Sequence, residues 1–413
     1  MRVAVIGAGI AGLGAAHALA RVHDVEVFER DTRAGGHANT VTVPRPGGGE
    51  LHLDTGFLVH NEHNYPLLSR LFRELGVRVQ DSDMSFAVSC PSSGLEYSAV
   101  RLWSQPRTLA NPAVLRLFRE VIRFLRTGHN ALEERHARST LDDYVTNEGY
   151  SRRFRDLYLV PFASALWSTA PAQTLAFPVS YAVRFFQNHG LLGFRRHQWR
   201  TVTGGSRTYV RAITAPLGDR LRLGAEVRAI ARDADGVEVR TADDVAHRFD
   251  AVVVAAHAPQ ALAMLADADE RERAVLGAFR TTLNSTVLHT DESLLPRRPA
   301  SRGSWNYLID DLDRPAARPT VTYYLNKLQA IDGPEHYCVT LNRDDQIAED
   351  RVIRRVEYAH PLYTFESLAA QERLPTLNGR RRTFFCGAYH GVGFHEDGLA
   401  SGLRAAAGLG ATW

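Results

Sequence analysis

The sequence predicts an α/β chain in which a parallel, nucleotide-type sheet is assembled from separated pieces with an α+β unit interleaved between them. Three observations point that way. A short apolar strand runs straight into Gly7-Ala8-Gly9-Ile10-Ala11-Gly12, a second strand ends in acid about twenty residues further on, and β-branched strands return after a long helical stretch. Arg2 to Ile6 is the first buried strand. Gly7 permits the tight turn, Gly9 lets backbone amides approach a pyrophosphate, and Gly12 lets the alanine-rich helix, to Arg21, pack on the sheet. Val25 to Glu29 then places a carboxylate where ribose hydroxyls can donate to it, with Arg30 beside it. This is a Rossmann-like signature.

Composition bounds the rest. A chain of 413 residues that is 45% hydrophobic can bury a large core, expected as two domains. A net charge of +3 is too mild to imply nucleic acid. Cys90, Cys338 and Cys386 are odd in number and scattered, which suggests a reducing cytoplasm rather than a disulfide framework. The opening imitates a secretory signal through Arg2, an apolar run and Ala18-Leu19-Ala20, but the glycine spacing argues against one. No stretch reads as a membrane span. The histidines show neither HxxxH pairing nor clustered cysteines, so no metal site is expected. Among 49 lysines and arginines, only Lys327 is lysine.

The nucleotide domain is expected from residues 1–79, 201–283 and 346–413, and the substrate domain from 80–200 and 284–345. The first piece carries Leu53-Asp54-Thr55-Gly56-Phe57, and residues 80–200 read as mostly helical. Gly204-Gly205-Ser206 opens a helix; then Leu221–Leu223, Val227–Ile230, Val237–Val239 and Asp250–Ala255 read as strands returning to the nucleotide sheet. Four segments between Asn284 and Leu341 suggest a separate antiparallel sheet. Thr383–Cys386, a glycine-rich turn and a small-residue helix from near Asp397 complete the nucleotide domain.

Arg30-Asp31-Thr32-Arg33-Ala34-Gly35-Gly36-His37 resembles the ERxxxxGG segment of the FAD-dependent amine oxidase and phytoene desaturase superfamily, and the discontinuous order is similar over the whole chain. Phrases such as Asp54-Thr55-Gly56-Phe57-Leu58-Val59-His60-Asn61-Glu62, Phe185-Phe186-Gln187-Asn188-His189-Gly190 and Gly393-Phe394-His395-Glu396-Asp397-Gly398 look like one bacterial subgroup of predicted NAD/FAD-binding oxidoreductases. Its members are associated with cyclopropane synthases and other lipid-modifying methyltransferases. The resemblance implies FAD, with Gly7, Gly9, Ala11 and Gly12 at the diphosphate, Glu29 and Arg30 at adenosine, and Gly35, Gly36 and His37 following the diphosphate. It also implies Thr55, Gly56 and Phe57 at the flavin ring, the Val227 backbone at adenine, and Gly387 before the flavin-side turn. Many relatives carry an acid after that glycine, where this chain has Ala388. Glu396 or Asp397 is the expected replacement, with Asp397, Gly398 and Leu399 directing a helix N-terminus at the flavin.

Flavin chemistry needs no protein nucleophile, so its trace in sequence is faint. Candidate catalytic groups are His60, Asn61 and Glu62 after the DTGF turn, Asn188 and His189, Tyr389 and His390, and His395. Each has a plainer reading: His189 as a backbone bridge, Glu62 as a helix start. Lys327 is carried over from the superfamily lysine that holds a water at the flavin, against surface solvation. Cys386 reads as an inert buried thiol rather than a flavin attachment point. Residues 113–126 form a basic amphipathic helix with Val114, Phe118, Val121, Ile122 and Leu125 on one face, suited to packing inward or to peripheral contact with the inner face of an anionic membrane. The expected function is removal of two hydrogens from an apolar substrate, a fatty acyl chain in a lipid. The alternatives are an amine oxidase acting on a small metabolite, a non-redox flavin isomerase, and a flavin-free lipid-binding protein.

Overall fold

The computed structural model describes residues 1–45, 47–98, 112–193, 197–314 and 316–413. Its first layer is a five-stranded parallel sheet in the order Thr383–Phe385, Ala251–Val254, Arg2–Ile6, Asp24–Glu29 and Leu221–Leu223. The central strands are buried on both faces, as their unbroken apolar runs require. Helix Ile10–Leu19 packs against the C-terminal helix His395–Gly408 at glycine-limited distance. A Cβ on Gly402 would lie 2.1 Å from the Ala11 carbonyl oxygen, and one on Gly14 would meet Leu399 at 2.5 Å.

Two strands expected in that sheet are elsewhere. Val227–Arg232 and Val237–Thr241 pair antiparallel with Ala246–Phe249 in a separate three-stranded meander. Their burial alternates, with Val227, Ile230 and Arg232 inward and Arg228 and Ala231 outward. Such strands suit a sheet covered on one face rather than the middle of a doubly covered one.

Arg232 ties the meander to its surroundings. Its side chain is wholly buried, with Nη2 donating to Glu272 Oε2 at 2.8 Å and Nε to Asp267 Oδ1 at 2.8 Å. Glu272 also closes the capping box of helix Glu270–Leu276 with Asp269.

The second layer is a seven-stranded mixed sheet in the order Val352–Leu362, Arg280–His289, Cys338–Leu341, Thr320–Tyr324, Trp305–Leu308, Phe86–Cys90 and Leu95–Ser98. It holds the four segments expected between 284 and 341, together with three strands that the sequence reading placed otherwise. Phe86–Cys90 and Leu95–Ser98 form a hairpin inside the stretch read as helical. Residues 99–111 and 194–196 of that stretch lie outside the described residues. Val352–Leu362 lies beside Arg280–His289 along its length, although its segment was read with the nucleotide pieces. As an edge strand it carries Arg354, Arg355 and Glu357 outward, which hid its period of two.

Helix Pro112–Thr127 buries Val114, Leu117, Val121 and Phe124, with Phe118 and Leu125 half-buried. Ile122, expected on the apolar face, is exposed. No helix among the described residues is long and apolar enough to cross a membrane.

Candidate active site

The two glycine turns meet. Gly35 N donates to the Ala8 carbonyl at 2.8 Å, and a Cβ on Gly36 would stand 3.3 Å from Gly9 Cα. Gly7 sits at φ +103°, and a Cβ there would be 2.6 Å from the Ala255 carbonyl oxygen; one on Gly12 would be 1.9 Å from the Gly7 carbonyl oxygen. Both positions are glycine for reasons internal to the protein. Gly9 is not: it has an ordinary extended backbone, and a Cβ there meets nothing within 4 Å. Its missing side chain leaves backbone open to a ligand, which is the fit a dinucleotide diphosphate needs. Glu29 is oriented at this end, accepting from Ala8 N at 2.7 Å and Asp31 N at 3.0 Å.

From here a cavity of about 680 Å³ runs between the two layers. Gly7, Gly9, Ala11, Glu29, Arg30, Gly35, Gly36 and Val227 line its nucleotide end. Gly12 lies beneath the turn rather than on the wall. Further in are His37, Thr55, Gly56, Phe57, Gly387, Tyr389, His395 and Gly398. The DTGF turn is held by Asp54, whose buried carboxylate accepts from Thr40 Oγ1 at 2.6 Å, Ser206 Oγ at 2.7 Å and Ser206 N at 2.9 Å. Burial pushes this carboxyl up to about 6. Gly56 is required because its Cβ would meet the His37 carbonyl oxygen at 2.2 Å. Phe57 stacks on His395, ring centroids 4.0 Å apart, and Tyr209 hydrogen-bonds His395 Nε2 at 3.1 Å.

Several expected site residues fall outside this lining. Glu396 instead caps helix Pro66–Glu74, accepting from Leu67 N at 2.8 Å and Leu68 N at 2.9 Å. Asp397 caps its own helix by accepting from Phe394 N at 3.0 Å, and burial pushes it up to about 6. Leu399 packs on Gly14. Glu62 points to solvent and pairs with Arg200 at 3.2 Å. Asn61 Oδ1 accepts from Asn64 N at 2.8 Å, and His60 is enclosed by Phe57, Tyr65 and Phe72. Lys327 is also outside, because the short helix Leu325–Leu328 directs it to the Arg302 carbonyl. Its solitary status in the composition is no guide to its position.

Sequence reasoning missed Tyr358 and His360, which face the cavity from the edge strand. Tyr358 OH is within 2.7 Å of Thr55 Oγ1 and accepts from Asn39 Nδ2 at 3.0 Å, and its ring stacks on His37 at 4.9 Å. Asn342 Nδ2 donates to Asn284 Oδ1 at 2.8 Å, and Asn284 Nδ2 donates to His360 Nδ1 at 2.9 Å. This amide relay makes Nδ1 of His360 an acceptor and so places the proton of the neutral ring on Nε2. The period-two spacing of Val356, Tyr358 and His360 was the available signal.

The far half of the cavity is an aromatic chamber with Phe86, Phe162, Trp167, Phe185, Trp305 and Tyr323 in its walls. His189 also lines it. Its Nδ1 donates to the Phe185 carbonyl at 3.0 Å, the only role that carbonyl allows, so its Nε2 is an acceptor; burial pushes the ring down to about 4. The carboxylates and guanidiniums of the lining are Glu29, Arg30, Asp31, Arg33 and Glu226 at the nucleotide turns, and Glu357 on an exposed strand edge.

Burial also sets the acid response. It pushes His60, His189, His289 and His360 down to about 4, and His390 and His395 to about 3. Stability from such groups is fully present above the unfolded value of 6.5 and is lost as pH falls through the folded values. Asp54 and Asp397 act oppositely: theirs is present below 3.8 and lost as pH rises through about 6. Six groups outweigh two, so the melting temperature is expected to fall steeply from pH 6.5 toward about 4. A flat or rising melting temperature across that window would contradict these environments.

Residues 10–305 match the model of a family described as flavin containing amine oxidoreductase. Among solved structures, the chain resembles a putative protoporphyrinogen oxidase from an Exiguobacterium species at 16% identity, with a TM-score of 0.68 over 99% of this chain and 98% of the other. It resembles a CLA-producing fatty acid isomerase from P. acnes at 18% identity, TM-score 0.66, over 97% and 96%. Cyclohexylamine oxidase from Brevibacterium oxydans is similar at 17% identity, TM-score 0.66, over 98% of each chain. At these identities the likeness is one of fold.

Proposed function

Because the chain belongs to the flavin containing amine oxidoreductase family and is an FAD-dependent oxidoreductase, we propose that it dehydrogenates an uncharged apolar substrate, a fatty acyl chain of a lipid. One observation carries this reading. The chamber beyond the expected ring position is walled by aromatic and aliphatic side chains, and the carboxylates of the lining stand at the nucleotide end or on an exposed edge. An ammonium group entering the chamber gains no counter-ion and loses its hydration, a cost of several kcal/mol. An acyl chain loses nothing by the same transfer and gains about 0.8 kcal/mol per buried methylene.

Bound FAD supplies a two-electron acceptor that takes hydride from a carbon held in contact with it. The protein holds that carbon. The walls exclude water, the Phe57–His395 stack and the Thr55–Tyr358 contact fix the inner surface, and His189 Nε2 accepts the proton released from the neighbouring carbon.

The test is anaerobic stopped-flow absorbance with bacterial phospholipids carrying unsaturated or methyl-branched chains, followed by mass spectrometry of the lipids. The expected result is flavin bleaching with loss of two hydrogens, about 2 Da. His189→Leu is expected to keep its FAD and slow bleaching at least about a hundredfold. A lipid altered at constant mass would instead indicate isomerisation. Bleaching by putrescine or cyclohexylamine but not by lipid would overturn the acyl reading in favour of amine oxidation.

A further inference from the structure

The outward face of helix Pro112–Thr127 mixes arginines with large aliphatic side chains. Leu115, Arg116, Arg119, Ile122, Arg123 and Arg126 are all exposed, at the spacing that places them on one side of an α-helix. Leu115 is 47% and Ile122 41% exposed. The helix's one carboxylate, Glu120, is turned away from this face: its oxygens accept from Ser151 N at 2.8 Å and Ser151 Oγ at 2.6 Å. Among the described residues none of the four guanidiniums enters an ion pair; Arg123 lies over the Tyr150 ring at 3.7 Å. The face therefore combines concentrated positive charge with two large aliphatic side chains.

We propose that this face docks the protein on an anionic phospholipid surface, with the arginines at lipid phosphates and Leu115 and Ile122 in the interfacial region. Charge selects this occupant. A second copy of the chain, meeting face to face, would oppose four like charges. Nucleic acid would satisfy the arginines but leave both aliphatic side chains without an apolar environment. An anionic bilayer satisfies both chemistries at once.

The inner side of the helix leads toward the chamber. Phe124 contacts Phe186 at 6.3 Å between centroids, Phe186 contacts Phe162 at 5.5 Å, and Phe162 lines the cavity. Docking thus places on the lipid a helix whose buried side reaches the chamber wall through two ring contacts. The proposal rests on the acyl-chain reading for its purpose, but vesicle binding is measured without turnover, so either can fail alone.

The experiment is co-sedimentation of the full-length, FAD-loaded protein with phosphatidylglycerol/phosphatidylcholine vesicles and with phosphatidylcholine vesicles, at low and high salt. Binding is expected to the anionic vesicles only and to weaken with salt. A triple variant, Arg116→Gln/Arg119→Gln/Arg126→Gln, is expected to bind about a hundredfold more weakly, near fivefold per arginine. Leu115→Ser/Ile122→Ser is expected to lose the binding that survives high salt. All substituted side chains are exposed and Arg123 is retained, so unchanged melting temperatures serve as the folding control. Equal binding to both vesicle types, or undiminished binding by both variants, would overturn the proposal. So would binding to duplex DNA that the triple variant loses, where wild type ignores vesicles.

Discussion

A Gly9→Leu protein is expected to fold normally and contain no FAD. Backbone dihedrals at this position suit any residue, and a Cβ meets nothing within 4 Å, so the protein has no internal objection to a side chain. Loss of glycine from a helix N-cap costs about 1 kcal/mol. The same side chain fills the space through which backbone amides reach the diphosphate. FAD affinity is expected to fall at least about a thousandfold, roughly 4 kcal/mol, while the apoprotein melts within a few degrees of wild-type apoprotein. Gly12→Ala is the contrasting control. Its Cβ would stand 1.9 Å from the Gly7 carbonyl oxygen, so the apoprotein itself should be destabilised. Flavin absorbance per folded chain and apoprotein melting separate the two cases, and stoichiometric FAD in a folded Gly9→Leu protein would end the cradle assignment.

Arg232→Met is expected to be the most damaging single change away from the cavity. It leaves Glu272, itself buried, without the cation that neutralises it, while the neighbouring Asp267 keeps its pair with Arg381. Stranding one partner of a buried pair costs about 3–5 kcal/mol. The loss should appear as a lower urea midpoint at unchanged slope. Val227, which lines the nucleotide end, starts the strand that ends in Arg232, so FAD affinity should weaken as well. Arg232→Met/Glu272→Leu is expected to recover much of the stability by removing the stranded charge. A cost below about 1 kcal/mol for the single variant would show that solvent reaches the pair.

The nucleotide end was legible in the sequence because its chemistry is local. Gly7, Gly9, Gly12 and Glu29 lie on one strand–turn–helix–strand unit, and their spacing alone encodes the turn. The chamber was not legible in this way. Phe86, Phe162 and Trp305 come from three distant segments and read individually as core residues, while Phe185 and Tyr323 read equally well as core or as the lining of an apolar tunnel. Tyr358 and His360 were hidden by charged neighbours on an edge strand. The meander was misplaced because β-branched strands look alike until their burial alternation is known. Lys327 shows the opposite failure: rarity in composition drew attention to a side chain that the fold directs to the Arg302 carbonyl.

The parallel sheet is closed at one edge by Thr383–Phe385, the strand of that sheet farthest in sequence from the glycine turn. Ala251–Val254 has Arg2–Ile6 on one side and Thr383–Phe385 on the other, and helix His395–Gly408 covers Ile10–Leu19. Until Thr383–Phe385 and His395–Gly408 are in place, the glycine turn therefore belongs to a sheet with one edge unpaired and a helix with one face bare. Contacts of such long sequence separation form slowly. The cradle is consequently complete only once these distant segments have returned to the glycine turn.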